Sequence, residues 1–499
     1  MKNDDSKILD SSEKIRILNE IAFNAGKARI SPQTKYLHHC YYPGEGESHQ
    51  TIPLYENFLF IYTLLKSKTG ENVTEAKKLL EGLLRFQNNQ VEKSKGNYPI
   101  YLHEYPDCKD RNIGIHLLPV FALIYKGFHQ ILGEALKKEF VIGTENLLHY
   151  CWEIPPENLS YSVKLTLAAG TLSLADSLQS EEFRQKGEAL LQKPDPEKIH
   201  PEWFYPDQQG KIFTALHLIY SDISRSPWKK FWEFLQIMYD QNTTAYIGPA
   251  HKVYQIEGEP EVNLIDFHIA GLTGVFSKRL YSDRASNVEA SLVQPHPEIL
   301  ALQNASSKHS GSDEGVEWSV IRNNILSWSC SDIPIDRNHT HWKSISPFRM
   351  CWGDLTKVRT CVAQGGNCTS IRATENKEEI IVEFTLLEEF NVEDKDLCKE
   401  IILSFDHGND ISAAVEGVKA NTFYPGNEII FSSGNIKFSL NFFIIEGEGE
   451  FFGHIMPGNR ISELALKNEN RFNAYDMQIF LRTLRRSSLC RIGLRINMI

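Results

Sequence analysis

The chain predicts an α+β multidomain protein, with a half made of helix hairpins ahead of a half made of antiparallel strands. Three observations carry that expectation. The 499 residues exceed what one ordinary hydrophobic core organises. Over roughly the first 280 residues, apolar side chains recur every three or four positions, the period of a helix with one buried face. Beyond that point the period falls to two, the period of a half-buried strand.

The helical half opens with IPLYENFLFIYTLLKS (52–67), which lines up Leu54, Phe58, Ile61, Leu64 and Leu65. EAKKLLEGLLRFQ (75–87) repeats the pattern with Leu79, Leu80, Leu83, Leu84 and Phe86. The same spacing predicts helices over 113–132, 135–152, 163–178, 181–192, 210–222, 227–241 and 263–280. Short polar or Pro/Gly connections separate them, as in antiparallel helix hairpins. Two of these connections echo each other. A Gly-Asn-Tyr-Pro loop rich in aromatics ends the segment 83–107, and Trp203, Phe204 and Tyr205 precede Pro-Asp in 200–220.

In the second half, EEIIVEFTL (378–386) and NIKFSLNFFII (435–445) alternate apolar and polar residues. Ser432, Ser433, Gly434 and Asn435 suit a hairpin turn ahead of the latter. The segments 318–330, 357–364, 398–405 and 477–486 are further strand candidates, and 490–498 is expected to close the sheet. Many strands joined by Gly, Asn and Asp turns imply an antiparallel sandwich. The polar, turn-rich stretch 294–315 reads as a linker or surface loop, so the expected domains are 1–285, a linker over 286–315, and 316–499.

Composition excludes several classes. A hydrophobic content of 41% rules out a disordered chain, and a net charge of −11 argues against a nucleic-acid partner. There is no apolar run of membrane-span length and no leader-like apolar segment at the N-terminus, so a cytoplasmic location and no membrane partner are expected. The nine cysteines form no CxxC pair, which points to a reduced setting without a disulfide framework or zinc ribbon. The chain calls for no cofactor, and its oligomeric state is not legible.

Chemistry concentrates between Thr244 and Gly274, where Tyr246, Tyr254, His251, His268 and Asp266 fall together around a Gly-Pro turn. Tyrosine and histidine are side chains that move protons to and from a sugar or acyl substrate. Helix hairpins joined by aromatic loops, followed by a large antiparallel β-domain, resemble the heparinase and alginate lyase group of polysaccharide lyases. The resemblance implies an N-terminal (α/α) toroid of helix hairpins followed by a C-terminal antiparallel β-sandwich, and an oligo- or polysaccharide substrate containing uronate. It also implies β-elimination, in which Tyr or His takes the proton beside the uronate carboxylate while Asn, His or Arg neutralises that carboxylate.

Candidates for those roles occur in the implied order. Arg111, Asn112 and His116 stand at a helix start, Tyr246, His251 and Tyr254 late in the helical half, and His339 and His341 early in the strand half. Tyr98, Trp203, Tyr205 and Lys252 are candidate substrate contacts. A tyrosine acts as base near neutrality only beside cations such as Arg111 or Lys252. The chain departs from the family pattern at Asn112, which Ile113 follows where an Asn-His or Asn-Asn pair is common.

Structural alternatives stand beside each role. Tyr246 and Tyr254 could pack the Gly-Pro turn, Asn112 could cap its helix, His268 could be a core residue, and Trp203 and Tyr205 could plug a helix interface. The cluster of His38, His39 and Cys40, or the pair His339 and His341, could in principle hold a metal, although neither shows a full ligand set. Glu104, Asp107 and Asp207 are the carboxylates available to a glycoside hydrolase, and a glycan-binding protein without catalysis is the third reading.

Overall fold

A computed structural model describes residues 9–40, 51–250, 262–297, 300–302, 307–313, 316–323, 325–335, 345–376, 379–388, 399–406, 411–434, 436–458 and 477–499. The chain forms two compact units that interleave in sequence. The helical unit comprises Met1–Glu202, Asp207–Glu233 and Val262–Leu300, and the strand unit comprises Trp203–Pro206, Phe234–Glu261 and Ala301–Ile499.

The helices are α1 (Ser11–Lys27), α2 (Leu54–Lys66), α3 (Gly70–Leu84), α4 (Ile113–Phe128), α5 (Glu134–Glu153), α6 (Tyr161–Leu178), α7 (Glu181–Leu191), α8 (Pro206–Ile219), α9 (Lys229–Met238) and α10 (Leu264–Thr273). Their starts carry local signals. Asp10 caps α1 by accepting from the Glu13 amide at 2.8 Å, and Asn263 and Asp266 form a capping box on α10. The predicted helix 263–280 stops at Thr273 because Gly274 takes a left-handed cap with φ +74°. Helix α1 carries no counterpart among the helices expected from the sequence.

Within this unit the helices close a ring. Helix α2 packs on α4, α4 on α6, α10 on α1, and α1 back on α2. Ser162 Oγ donates to Gln208 Oε1 at 2.6 Å, tying α6 to α8, and Thr214 Oγ1 lies 2.8 Å from His268 Nε2, tying α8 to α10. Helices α3, α5 and α7 pair with this inner succession from outside. A continuous core from Leu54 and Phe58 through Phe121 and Leu147 to Leu167 and Leu292 holds the ring together. The toroid expected from the hairpin pattern is thus present.

The strands are β1 (Ser307–Asp313), β2 (Val316–Arg322), β3 (Leu326–Ser331), β4 (Phe348–Gly353), β5 (Val358–Ala363), β6 (Cys368–Asn376), β7 (Glu379–Leu386), β8 (Lys399–Asp406), β9 (Ile411–Val415), β10 (Thr422–Phe423), β11 (Ile429–Ser433), β12 (Ile436–Glu446), β13 (Gly449–Pro457), β14 (Met477–Arg486) and β15 (Arg491–Met498). One sheet of nine strands runs β1-β2-β3-β4-β5-β8-β14-β13-β10, and one of six runs β6-β7-β15-β12-β11-β9. Trp328, Phe348 and Met350 of the first sheet share a core with Ile371, Val382, Phe384 and Phe438 of the second, so the sheets form a sandwich.

Three details differ from the sequence expectations. Segment 318–330 is two strands, because Asn323 Oδ1 accepts from the amides of Ile325 and Leu326 and turns the chain. The stretch 294–315 contains β1, whose serines and glycine hide its pairing with β2. The C-terminal strand lies inside its sheet between β7 and β12, with Leu494 opposite both Val382 and Phe442.

Candidate functional site

In the helical unit the first turns of α2, α4, α6 and α8 meet. Tyr55 is the second residue of α2, Asn112 the N-cap of α4, and Asp207 and Gln208 open α8. Tyr55 Oη donates to Glu289 Oε1 at 3.1 Å, where Glu289 lies in the short 3-10 segment Ala285–Leu292. Lys211 acts electrostatically on both Glu289 and His116, and Asp207 acts on Glu289. Tyr55, His116, Asp207, Lys211 and Glu289 are all half-buried, so the group sits deep in the unit and still meets solvent.

This environment selects protonation states. Burial pushes the His116 imidazole down to about 3, with Lys211 adding to the effect, so the ring is neutral at physiological pH. Burial raises the Glu289 carboxyl above its ordinary range, against the pull of Lys211 and the Tyr55 hydroxyl. Burial, then the Glu289 charge, hold the Tyr55 phenol well above its ordinary value, so it remains a proton donor. Helix N-termini carry partial positive charge, which at α4 and α6 is met by the carboxylates of Asp110 and Glu202.

Capping is handled by neighbouring carboxylates. Asp110 Oδ1 accepts from the Asn112 amide at 2.6 Å and the Ile113 amide at 3.1 Å, and the Asn112 side chain makes no cap hydrogen bond. Asn112 and His116, four residues apart, therefore share the face of α4 that carries the site. Glu202 accepts from the Tyr161 and Ser162 amides at 2.7 and 2.9 Å, which fixes the start of α6.

In the strand unit, the segment containing Tyr246 packs on β3 and β4. Tyr246 is 6% exposed and its hydroxyl donates to the Pro249 carbonyl at 2.8 Å, so it braces its own Gly-Pro turn. Ser329 Oγ donates to the Ile247 carbonyl at 2.6 Å, and Ala250 pairs with Ser346. The Arg349 guanidinium lies 5.6 Å from the centre of the Tyr246 ring.

The other sequence candidates scatter. Tyr98 is wholly buried against Phe58 and Phe121, which makes it a core ring, and its hydroxyl has no hydrogen-bond partner among the described residues. Trp203 is wholly buried edge-on to Phe234, whereas Tyr205 is half-buried. Arg111 is exposed, and its carbonyl accepts from the Tyr150 hydroxyl. His268 is a core histidine bonded to Thr214. His38 is engaged with Thr34 at 2.8 Å. Glu104 closes on the Tyr101 amide and on Lys109, while Asp107 is exposed. His251, Lys252, Tyr254, His339 and His341 lie outside the described residues. Among the described residues, no three of His, Cys, Asp and Glu gather as a metal site, and no helix is long and apolar enough to cross a membrane.

Tyr55, Lys211 and Glu289 escaped the sequence reading. Lys211 and Glu289 are the charged residues of GKIFTAL and SNVEASLV, Tyr55 adjoins Glu56 in IPLYENF, and no motif sets any of the three apart.

No known family model matches this chain, and neither does any curated protein. Solved structures do match. A chondroitinase AC lyase, solved in complexes with oligosaccharides, is 9% identical with a TM-score of 0.43, over 98% of this chain and 82% of that one. A heparinase III is 11% identical with a TM-score of 0.38, over 99% and 85%. A Bacteroides fragilis protein described as a glucoamylase is 13% identical with a TM-score of 0.23, and there the match spans 30% of this chain and 38% of that one. None of these reaches a TM-score of 0.5, so function has to be argued from this chain's own residues.

Proposed function

We propose that this protein is a carbohydrate-active enzyme that cleaves uronate-containing glycans by β-elimination, with the helical ring supplying the site. The observation that carries the reading is the meeting of His116, Lys211 and the Tyr55–Glu289 pair at the first turns of the inner helices. A uronate carboxylate there is offset by Lys211 and by the Asn112 side-chain amide, which lets the adjacent C–H ionise. His116 is neutral and has a lone pair for that proton, and the incoming carboxylate raises its affinity for it. Tyr55, held protonated, gives its proton to the departing sugar oxygen and regains one from solvent, which the half-buried cluster still meets.

A specific observation favours a second reading. Glu289 is a carboxyl of raised proton affinity near the carboxylate Asp207, the pairing a glycoside hydrolase needs for acid and base. A panel of uronate glycans separates the two. A lyase generates the ultraviolet absorbance of an unsaturated uronide, whereas a hydrolase releases reducing sugar without it. In the lyase, Tyr55→Phe lowers turnover by about 100-fold or more, as expected for loss of a general acid. In the hydrolase, Glu289→Gln is the damaging change and Tyr55→Phe is mild. Absence of both products from every glycan in the panel overturns the enzymatic reading.

A further inference from the structure

We propose that Arg349 anchors an oxyanion-binding site in the strand unit, taking one carboxylate or sulfate group of a ligand. The residue stands in β4 between Ser329 of β3 and Val362 of β5, both uncharged. The groups that act on its charge are the Tyr246 phenol, the Cys351 thiol and the Tyr239 phenol, none of them a carboxylate, while burial lowers its affinity for its own proton. Its Nε is buried and has no hydrogen-bond partner among the described residues. The side chain nevertheless keeps partial solvent access.

Two other arginines of the same unit show how this fold satisfies a buried guanidinium. Arg322 donates to the carbonyls of Gln236, Ile237 and Tyr239 and is offset by Asp240. Arg486 pairs with Glu400 and donates to backbone carbonyls as well. Arg349 makes neither kind of contact with a described residue. Among the described residues, the carboxylate on that side of the sheet is Asp240, which accepts from the Thr243 amide and hydroxyl and from Ser327 Oγ and offsets Arg322.

A desolvated cation without a counter-charge is costly to the fold, and it becomes favourable once an anion arrives. Planar two-point donation to a carboxylate or sulfate is what a guanidinium does best. The aromatic wall of Tyr246, braced by its bond to Pro249, keeps the guanidinium from turning away. The site stands apart from the chemistry proposed for the helical unit, because it requires binding and no turnover.

The test is thermal unfolding of the full chain, titrated with glucuronate, with inorganic sulfate, and with glucose as the uncharged control. The wild type is expected to gain about 2–4 °C in Tm, saturably, with glucuronate, and not with glucose. A matching rise with sulfate assigns the site to oxyanions in general, and its absence assigns it to carboxylates. In a Lys211→Met background, which removes the cation proposed to offset a uronate in the helical unit, Arg349→Met is expected to abolish the response and to leave the ligand-free Tm at or above that of Lys211→Met alone. Arg349→Lys, which keeps the charge, weakens the response at least about tenfold in apparent Kd through loss of the two-point contact. Tyr55→Phe is expected to respond like the wild type, so a failed lyase assay leaves this result standing. The proposal is overturned if no anion gives a saturable shift in the wild type, or if Arg349→Met in the Lys211→Met background lowers the ligand-free Tm while the anion response survives.

Discussion

Acidification should unlock the helical unit through a histidine cluster formed by His217 of α8, His268 of α10 and His296 beyond the 3-10 segment. His217 and His296 lie with ring centres 5.1 Å apart, and Phe213 packs on His268 at 4.5 Å and on His217 at 5.9 Å. Burial, with His296 adding to it, pushes His217 down to about 4, and burial with both neighbouring imidazoles holds His268 well below its ordinary value. The sign follows from proton binding. Between the unfolded value near 6.5 and about 4, the unfolded chain carries the His217 proton and the folded chain does not. Stability therefore falls as pH drops through that window and levels off below it. At about 1.4 kcal/mol per pH unit, His217 alone removes roughly 3 kcal/mol. Other groups titrate there too, so the measurement is a difference. Urea unfolding, followed by helical circular dichroism, is compared between wild type and His217→Gln from pH 7 to pH 4. The wild type should lose roughly 3 kcal/mol more than the variant, and parallel curves for the two proteins would refute the reasoning.

Two further outcomes test the packing of each unit. Arg486 and Glu400 are 1% and 0% exposed at 2.8 Å, so Glu400→Gln leaves a buried cation under-compensated and should cost about 3–5 kcal/mol in the strand-unit transition during guanidinium unfolding. Gly170 of α6 approaches α4 so closely that a Cβ would lie 2.5 Å from Leu118 Cβ, so Gly170→Ala should destabilise the helical unit by about 1–3 kcal/mol despite its better helix propensity, as a lowered Tm would report.

Periodicity made the architecture legible, and it failed where side chains stopped advertising burial. Strands such as β7, with Ile380, Val382, Phe384 and Leu386 inward, could be read directly because one face meets the core and the other meets water. Strand β1 could not, since Ser307, Ser310, Gly311 and Ser312 give no alternation and its pairing with β2 is made by backbone. The interleaving of the units was equally hidden. Nothing local in Phe234–Glu261 says that this segment belongs with the strands, although its amides and carbonyls meet Ser329 and Ser346 there. For the site, His116 and Asp207 were visible as residue types, but the partners that give them meaning lie in α2, α8 and the 3-10 segment after α10. Only ring closure brings those together.

The helical cluster also shows how a chain of net charge −11 can hold a local cation among its carboxylates. Net charge governs the far field, whereas a partly desolvated pocket responds to the few groups that line it. Burial raises the proton affinity of the Glu289 carboxyl, and the neutral His116 contributes no positive charge. Lys211 is the cation that acts on both of them, while Asp110 and Glu202 already hold the first amides of α4 and α6. The proton affinity of Glu289 is thus what the arrangement turns on, because an ionised Glu289 would compete with any other anion for Lys211. The Tyr55 hydroxyl donates to Glu289 Oε1 at 3.1 Å, so the same carboxyl also sets how firmly the Tyr55 proton is held.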